Sequence, residues 1–270
     1  MRRSKSFPAI CLITAISIVL ILAFLLNISG LTTYGVNELT GLAKLFVLNI
    51  PDPTKPWSSH AFEIVTAILW DQRGLDTYFE TSVLFLAIVA SVALLSYYGR
   101  RHVHEGTGDG YTTMIVKVVT KLVVPIIAVV SASIAIHGHL TPGGGFQGGS
   151  VFVVAPVLML LAYGSRFLSS RGFNELRLLA IRALSVTLIF VVGLLPVLYL
   201  LTHGTAYLFQ NTYKPDSAFT YPYLIPTPIG MILTAGSIMI YNILEFFAVA
   251  AGFTLAILLL TREFERGDKK

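Results

Sequence analysis

The sequence predicts an all-α integral membrane protein with about six transmembrane helices. Hydrophobic residues make up 55% of the chain and charged residues only 12%, whereas a soluble domain carries about 25% charged residues. Several apolar runs reach the ~20 residues that a helix needs to cross a bilayer. Lys and Arg gather beside these runs, which argues against a nucleic-acid-binding protein. We therefore expect a multi-pass protein of the cell membrane whose outer surface faces the lipid bilayer.

The apolar runs give the predicted spans in chain order. Five of them are residues 7–29, 81–98, 112–136, 148–167 and 178–201, and a sixth ends near residue 260 and begins between residues 229 and 243. Most Lys and Arg residues outside the spans then share a side with the N-terminus. Only Lys44, Lys55, Arg73 and Lys214 fall on the other side, so the positive-inside rule predicts that both termini are cytoplasmic.

Two segments fit no simple span. Residues 61–70 (AFEIVTAILW) are too short to cross a bilayer and predict an interfacial or re-entrant helix that is stopped by Gly74. Asp76 or Thr77 is expected to cap the next span, with Thr77 and Glu80 forming a capping box. The stretch PTPIGMILTAGSIMIYN before the last span is interpreted as a broken helix at the outer face.

A change of composition divides the chain. Residues 99–111 (GRRHVHEGTGDGY) are polar and contain four glycines, which is typical of a linker. The predicted organisation is a two-span piece over residues 1–98, this cytoplasmic linker, a four-span domain over residues 112–262, and a cytoplasmic tail over residues 263–270.

The stretch HGHLTPGGGFQGG (137–149) interrupts the apolar pattern between the third and fourth spans. Gly138 is expected to end the third span with a positive φ, and Pro142 prevents the helix from continuing. Glycines four residues apart place bare backbone on one helix face, where another helix can approach closely. The predicted turn and packing residues are Gly138, Pro142, Gly143, Gly144, Gly145, Gly148 and Gly149.

These residues resemble a known family. GHLTPGGGFQGG, with its apolar flanks and two further spans, is similar to the MnhB-like subunit of Mrp-type multisubunit sodium/proton antiporters, which carries a G-H-x-x-P-G-G-G-F-x-x-G core. The resemblance covers about residues 111–262. Residues 65–84 resemble the end of the large Mrp subunit, with matches at Asp71, Arg73, Asp76, Thr77 and Glu80.

The resemblance implies a non-enzymatic subunit of a sodium/proton-exchanging module, with Na⁺ and H⁺ as the transported ions. Similar pieces occur as separate small subunits in archaeal membrane-bound hydrogenases and sulfur-reducing complexes. The expected partners are therefore other Mrp-type antiporter subunits or hydrogenase-like subunits, and any redox chemistry would belong to them.

Ionisable groups inside predicted spans are candidates for an ion or proton pathway, because each costs about 2.5–3.5 kcal/mol near the bilayer centre. Lys121 either extends to the headgroups or pairs with an acid on a neighbouring subunit. Glu245 lies near the outer mouth if the last span begins near Tyr241, and mid-membrane if it begins near residue 229. Asn242, one turn away, could add an amide oxygen to a cation site. Arg182 is expected to extend to the inner face.

Polar groups at the span ends are further candidates. His139 either bonds helix-end carbonyls or shuttles protons. A dense polar patch at the start of the second span is either a salt-bridged cap or the lining of a hydrophilic half-channel, and it consists of Asp71, Arg73, Asp76 and Glu80. The complete set of pathway candidates is Asp71, Asp76, Glu80, Lys121, His139 and Glu245.

The chain lacks a P-loop, a dinucleotide fingerprint and a C-x-x-C pair, and Cys11 is its single cysteine. We therefore expect no catalytic residues, no metal and no cofactor. The alternative function is a structural subunit that seals the membrane between transporting subunits and moves no ion itself.

Overall fold

The computed structural model describes residues 7–29, 39–99, 112–228 and 230–267. The N-terminal MRRSK, nearly all of the predicted linker and the last three residues lie outside these ranges. The chain divides into two compact units, residues 1–45 and 46–270. The first contains α1 (Phe7–Ile28), with an apolar stretch over Ile13–Leu26, and the beginning of α2 (Gly41–Asn49).

The second unit is a helical bundle with one small β-hairpin. After α2, its elements in order are α3 (Ile64–Ala67), a π-helical turn (Ile68–Gln72), α4 (Gly74–Gly99), α5 (Met114–Ile136), α6 (Gly145–Phe152), α7 (Val154–Tyr163), α8 (Ser165–Ser170), α9 (Glu175–His203), β1 (Leu224–Thr227), β2 (Gly230–Leu233) and α10 (Ile238–Gly267).

The predicted helical membrane fold is confirmed. Within the described ranges, five segments are long and apolar enough to cross a membrane, with α6 and α7 acting together as one of them. Helix α4 begins seven residues earlier than its apolar run indicated and α9 begins three residues earlier, because their polar first turns are also helical. A sixth crossing through α1 and the cytoplasmic position of both termini stay predictions.

The bundle has two distinguishable ends. At the hairpin end, the β-hairpin contacts the loop between α5 and α6, where the Leu233 carbonyl bonds His139. At the opposite end, the Thr112 hydroxyl donates to the Ala162 carbonyl, and the Tyr163 hydroxyl donates to the Lys117 carbonyl. Helices α4, α6 and α10 therefore begin at the hairpin end, whereas α5 and α9 begin at the opposite end.

Helix α10 is the centre of the bundle. Its membrane-spanning stretch is 56% buried, against 17% for those of α4 and α5. Near the hairpin end, Trp70 stacks on Tyr241 with ring centroids 4.7 Å apart. Towards the opposite end, Leu255 and Leu258 of α10 are buried in a second apolar cluster. The exposed sides of α4 and α5 are available for contact with lipid or with partner subunits.

The segment before the last span is not a broken helix, so that prediction is wrong. It forms the antiparallel hairpin β1–β2, with Leu224 opposite Leu233 and Thr227 opposite Gly230. Pro226 lacks the backbone N–H that a helix interior requires. Gly230 has a φ of 130°, in the left-handed region that favours glycine at a tight turn.

The predicted capping of the second span is also wrong. Residues 61–70 contain the short helix α3, whose N-cap Glu63 accepts from the Thr66 N–H. The following π-helical turn ends at Gln72, and α4 begins at Gly74, ahead of both proposed caps. The Thr77 hydroxyl donates to the Leu69 carbonyl at 2.7 Å and so ties α4 to the π-helical turn.

Candidate functional site

The glycine-rich loop between α5 and α6 is shaped by close backbone contacts. His137 is the C-cap of α5 with a φ of −91°, and Gly138 follows without a positive φ, which corrects the sequence prediction. Gly138 provides space instead, because a Cβ there would lie 2.6 Å from the Cα of Gly144 and 2.8 Å from the Asn242 amide nitrogen. The positive φ, 148°, belongs to Gly144, the N-cap of α6.

Helix α6 fits between α5 and α10 because its glycines leave no side chain in either contact. A Cβ on Gly148 would lie 2.7 Å from the Ser131 carbonyl oxygen of α5. A Cβ on Gly149 would lie 2.8 Å from the Phe246 carbonyl oxygen of α10. The glycines of α6 therefore make close contacts on two faces of the helix, with Gly148 against α5 and Gly149 against α10.

His139 holds the loop to its surroundings. Its side chain is 1% exposed, and its Nε2 donates to the Leu233 carbonyl at 2.7 Å. Its own carbonyl accepts from the N–H groups of Phe62 and Glu63. Burial lowers the pKa of His139 below 6.5, and the bond to Leu233 opposes this only in part. Pro142 is exposed, and the Gly143 carbonyl accepts from Thr66.

A polar site lies where the first turn of α6 meets α10. The Glu245 carboxylate packs against the bare backbone of Gly145, with an oxygen 2.8 Å from where a Cβ would be, and faces the Phe146 N–H. Asn242 is fully buried, and neither amide atom has a hydrogen-bond partner in the described part of the chain. An unsatisfied buried amide costs about 1–3 kcal/mol, and the half-buried Glu245 carboxylate lies one helical turn away from it on α10.

Glu245 lies about 10 Å along α10 from Ile238 at 1.5 Å per residue, between the mouth and the middle of the span. Glu80 of α4 is close enough for its charge to act on Glu245. Glu80 is itself exposed, as is Asp76, which forms an ion pair with Arg73 on the surface. Glu80 is therefore the exposed acid of α4 that lies near Glu245.

Asp71 belongs to a different cluster, and its side chain is completely buried. It accepts from Lys214 Nζ at 2.6 Å, from Ser59 Oγ at 2.5 Å and from the Asn211 N–H at 3.1 Å. Four available carboxylate lone pairs are thus largely occupied by this chain's own groups. Lys214 was not singled out in the sequence because it is 143 residues from Asp71.

The structure does not bring Lys121 to this site. Lys121 is exposed on α5 and lies about 10 Å from the start of that helix, at the opposite end of the bundle. In the residues described, no group of three or more His, Cys, Asp or Glu is placed to hold a metal ion. Asn242 and Glu245 both face the start of α6, with the Asn242 amide against Gly138 and Gly144 and the Glu245 carboxylate against Gly145.

The position predicted for Arg182 is wrong. Its side chain does not extend to the inner face but is fully buried, with Nη1 donating to the Ala248 carbonyl of α10 at 2.6 Å. Its Nε and Nη2 have no hydrogen-bond partner in the described ranges. Its position as a lone charge inside an apolar run was a usable signal, since such a charge costs about 2.5–3.5 kcal/mol at a helix centre.

Comparison with known proteins places these features in a family. The domain described as related to the MnhB subunit of Na⁺/H⁺ antiporters matches residues 115–255. An uncharacterized protein of Methanocaldococcus jannaschii is 31% identical over 74% of this chain and 77% of its own length. A Rhizobium meliloti protein, described as a probable K⁺/H⁺ antiporter component, is 26% identical over 47% of this chain and 14% of its own length.

Two solved structures share the fold. A chain of the membrane-bound sulfane sulfur reductase, an archaeal respiratory membrane complex, superposes with a TM-score of 0.63 at 24% identity, covering 93% of this chain and 98% of that one. A chain of the Mrp complex from Dietzia sp. superposes with a TM-score of 0.60 at 19% identity, covering 96% of this chain and 26% of that one.

The glycine-rich loop, the helices that it joins and these matches lead to one conclusion. The chain is a multi-pass membrane subunit that belongs to the family with the domain related to the MnhB subunit of Na⁺/H⁺ antiporters.

Proposed function

We propose that this chain works inside an Mrp-type module that exchanges sodium for protons, and that it contributes a cation and proton site at Glu245. The module would form part of a respiratory membrane complex of the hydrogenase-like or sulfur-reducing kind. The structural relatives that support this are assemblies of several subunits, one of them a respiratory complex.

The observation that carries the proposal is the pairing of Glu245 with an unsatisfied Asn242. A carboxylate can hold either a proton or a small cation, and the Asn242 oxygen is a second ligand of the kind that hard cations prefer. The Phe146 N–H faces the carboxylate and can donate to it. Because proton and cation compete for the same oxygens, occupancy by one releases the other, which is the chemistry that exchange requires.

Exposed charges on two peripheral helices support assembly with partners. Glu80 on α4 and Lys121 on α5 are both exposed within membrane-spanning stretches. Charged groups inside membranes normally face another protein group or a water-filled cavity. We infer that sister subunits cover these faces. Ions would then reach Glu245 past Glu80, and Lys121 would form an ion pair with an acid of a partner subunit. The potassium named for the Rhizobium meliloti relative makes K⁺ the competing candidate for the cation.

A structural subunit is the second candidate, and the Asp71 cluster favours it. Asp71 is occupied by Lys214 and Ser59, so this acid stabilises the hairpin end and is not free for ions. If Glu245 were equally committed to packing, the chain would seal the space between transporting subunits. The two functions differ in whether an isosteric, uncharged residue at position 245 stops exchange.

The experiment uses the complex carrying this chain in sealed membrane vesicles. Sodium or potassium is added after a pH gradient is established, and collapse of the gradient reports exchange. Glu245→Gln should assemble normally and slow exchange by about tenfold or more, because an amide cannot release a proton. Asp216→Asn, which neutralises an exposed acid in the loop after α9, is the matched control and should exchange normally. Full exchange in both variants would favour the structural role.

A further inference from the structure

The guanidinium of Arg182 occupies the middle of the bundle, one turn of α10 beyond Glu245. It binds the carbonyl of Ala248, three residues after Glu245. At 1.5 Å per residue, Ala248 lies about 15 Å from the start of α10. The membrane-spanning part of that helix runs from Ile238 to Thr261, so Ala248 is near its centre.

The chain accommodates this charge without neutralising it. Among the described residues, no carboxylate forms an ion pair with Arg182 within 4.0 Å, and Glu245 precedes by three residues the Ala248 carbonyl that Arg182 binds. The guanidinium instead lies 5.6 Å from the ring centroid of Phe85 on α4. Gly252 leaves the space that the group fills, because a Cβ there would collide with Nη1.

The side of Arg182 that faces the opposite end is packed mainly with apolar side chains, with the buried hydroxyl of Thr254 among them. Leu168, Leu178, Leu255 and Leu258 are buried there, each at most 5% exposed. A cation at Glu245 therefore has polar ligands on the hairpin side, and a positive charge followed by an apolar core on the other side. In the described ranges, Glu80 is the charged group that acts on Glu245, and it lies at the exposed side of α4.

We propose that Arg182 is an electrostatic barrier that keeps a cation at Glu245 from continuing through this chain towards the opposite end. The inference rests on the proposed function, because it takes Glu245 as the place where the cation binds. A fixed positive charge in a region of low dielectric repels cations and protons strongly. The consequence is that ions reach and leave Glu245 from the hairpin side or sideways through Glu80, into a partner subunit.

The test is passive leak in liposomes that contain the purified, assembled complex. With exchange prevented by omission of the counter-ion, Arg182→Gln should raise leak of protons or monovalent cations about a hundredfold, the effect of a unit charge one helical turn away at an effective dielectric of about 20. Arg182→Lys keeps the charge and should remain as tight as the wild type. A tight Arg182→Gln complex overturns the proposal, as does a Lys variant that leaks like the Gln variant.

Two further variants separate the barrier from the ion site. The leak of Arg182→Gln should fall to the wild-type value when Glu245→Gln is added, because the leaking ion passes through Glu245. A leak that persists in the double variant overturns the barrier proposal. If Glu245→Gln alone slows exchange while Arg182→Gln stays tight, the barrier fails and the proposed function stands. If Glu245→Gln exchanges fully, the proposed function fails and removes the basis of the barrier.

Thiol labelling tests the barrier with Arg182 intact, and so does not depend on assembly of the arginine variants. In a Cys11→Ser background, single cysteines replace Asn242 and Thr254, which lie on either side of Ala248 in α10. A membrane-impermeant cationic thiol reagent added at the hairpin side should label position 242 and leave position 254 unlabelled. Equal labelling of both positions would show a continuous cation path past Arg182 and overturn the proposal.

Discussion

Lys214 Nζ lies 2.6 Å from Asp71 Oδ2, and the two side chains are 7% and 0% exposed. This ion pair joins the start of the helical bundle to the loop between α9 and the β-hairpin. Ser59 and the Asn211 N–H complete the environment of the carboxylate. Asp71 thereby stabilises the hairpin end, which is the end nearer to the proposed ion site at Glu245.

Breaking this buried pair should destabilise the protein strongly. Asp71→Asn leaves the Lys214 ammonium buried without its counter-charge, and such a loss costs about 3–5 kcal/mol. Asp76→Asn, which breaks the exposed pair with Arg73, should cost less than about 1 kcal/mol. The free energy of unfolding of the purified protein in detergent checks both values. Equal losses for the two variants would contradict the assignment of Asp71 to a buried pair.

A methyl group in the α6–α10 contact should disrupt it. In Gly149→Ala, the new Cβ would lie 2.8 Å from the Phe246 carbonyl oxygen, so the two helices must separate. Overpacking of this kind costs about 1–3 kcal/mol. Gly41→Ala meets nothing within 4 Å and is the control, with an unchanged or slightly higher melting temperature. A Gly149→Ala protein as stable as the control would contradict the close contact.

Removing the unsatisfied amide of Asn242 should separate stability from function. Leu has nearly the same shape as Asn, so Asn242→Leu removes an unpaired polar group and should stabilise the protein by about 1 kcal/mol or more. The same variant should exchange ions more slowly, because one oxygen ligand is lost. Melting temperature and vesicle exchange are measured on one preparation. A large loss of stability would instead indicate that the amide has a structural partner.

His139 should make the protein less stable in mild acid. Burial lowers its pKa below 6.5, so the unfolded chain binds a proton more readily than the folded protein. Its contribution to stability is therefore complete above about pH 6.5 and is lost as the pH falls below that value. The free energy of unfolding should fall less steeply between about pH 7 and 5 in His139→Asn.

The neighbouring histidine provides the control for this pH dependence. His137 is exposed, and His137→Gln should change the slope much less than His139→Asn does, because His139 itself remains buried. If both variants have the wild-type slope, the protonation of His139 is not coupled to folding.

The sequence predicted the features that depend on local pattern. Apolar runs identified the helices, and the spacing of Gly144, Gly145, Gly148 and Gly149 indicated close packing of α6. Their physical basis is local, because hydrophobic length and missing side chains can be read from neighbouring residues. The hairpin at residues 224–233 was missed because its apolar residues carry no strict alternation and Pro226 obscures the strand pattern.

The features missed by the sequence depend on tertiary contacts. Arg182 lies near the beginning of its apolar run, where a long side chain can extend to the headgroups. Its side chain points inward instead, because Gly252 on α10 leaves the space that the guanidinium fills. Asp71 and Lys214 are 143 residues apart, and no local pattern links them. The depth of Glu245 depended on where α10 begins, and that was undetermined until the hairpin was placed before Ile238.

In the proposed exchange, a proton and a cation compete for Glu245. The competition is measured most directly as proton release by the purified complex in weakly buffered detergent solution when sodium or potassium chloride is added. The wild type should release protons in a saturable manner, and Glu245→Gln should release fewer at every salt concentration. Equal release by the two proteins would contradict competition at Glu245.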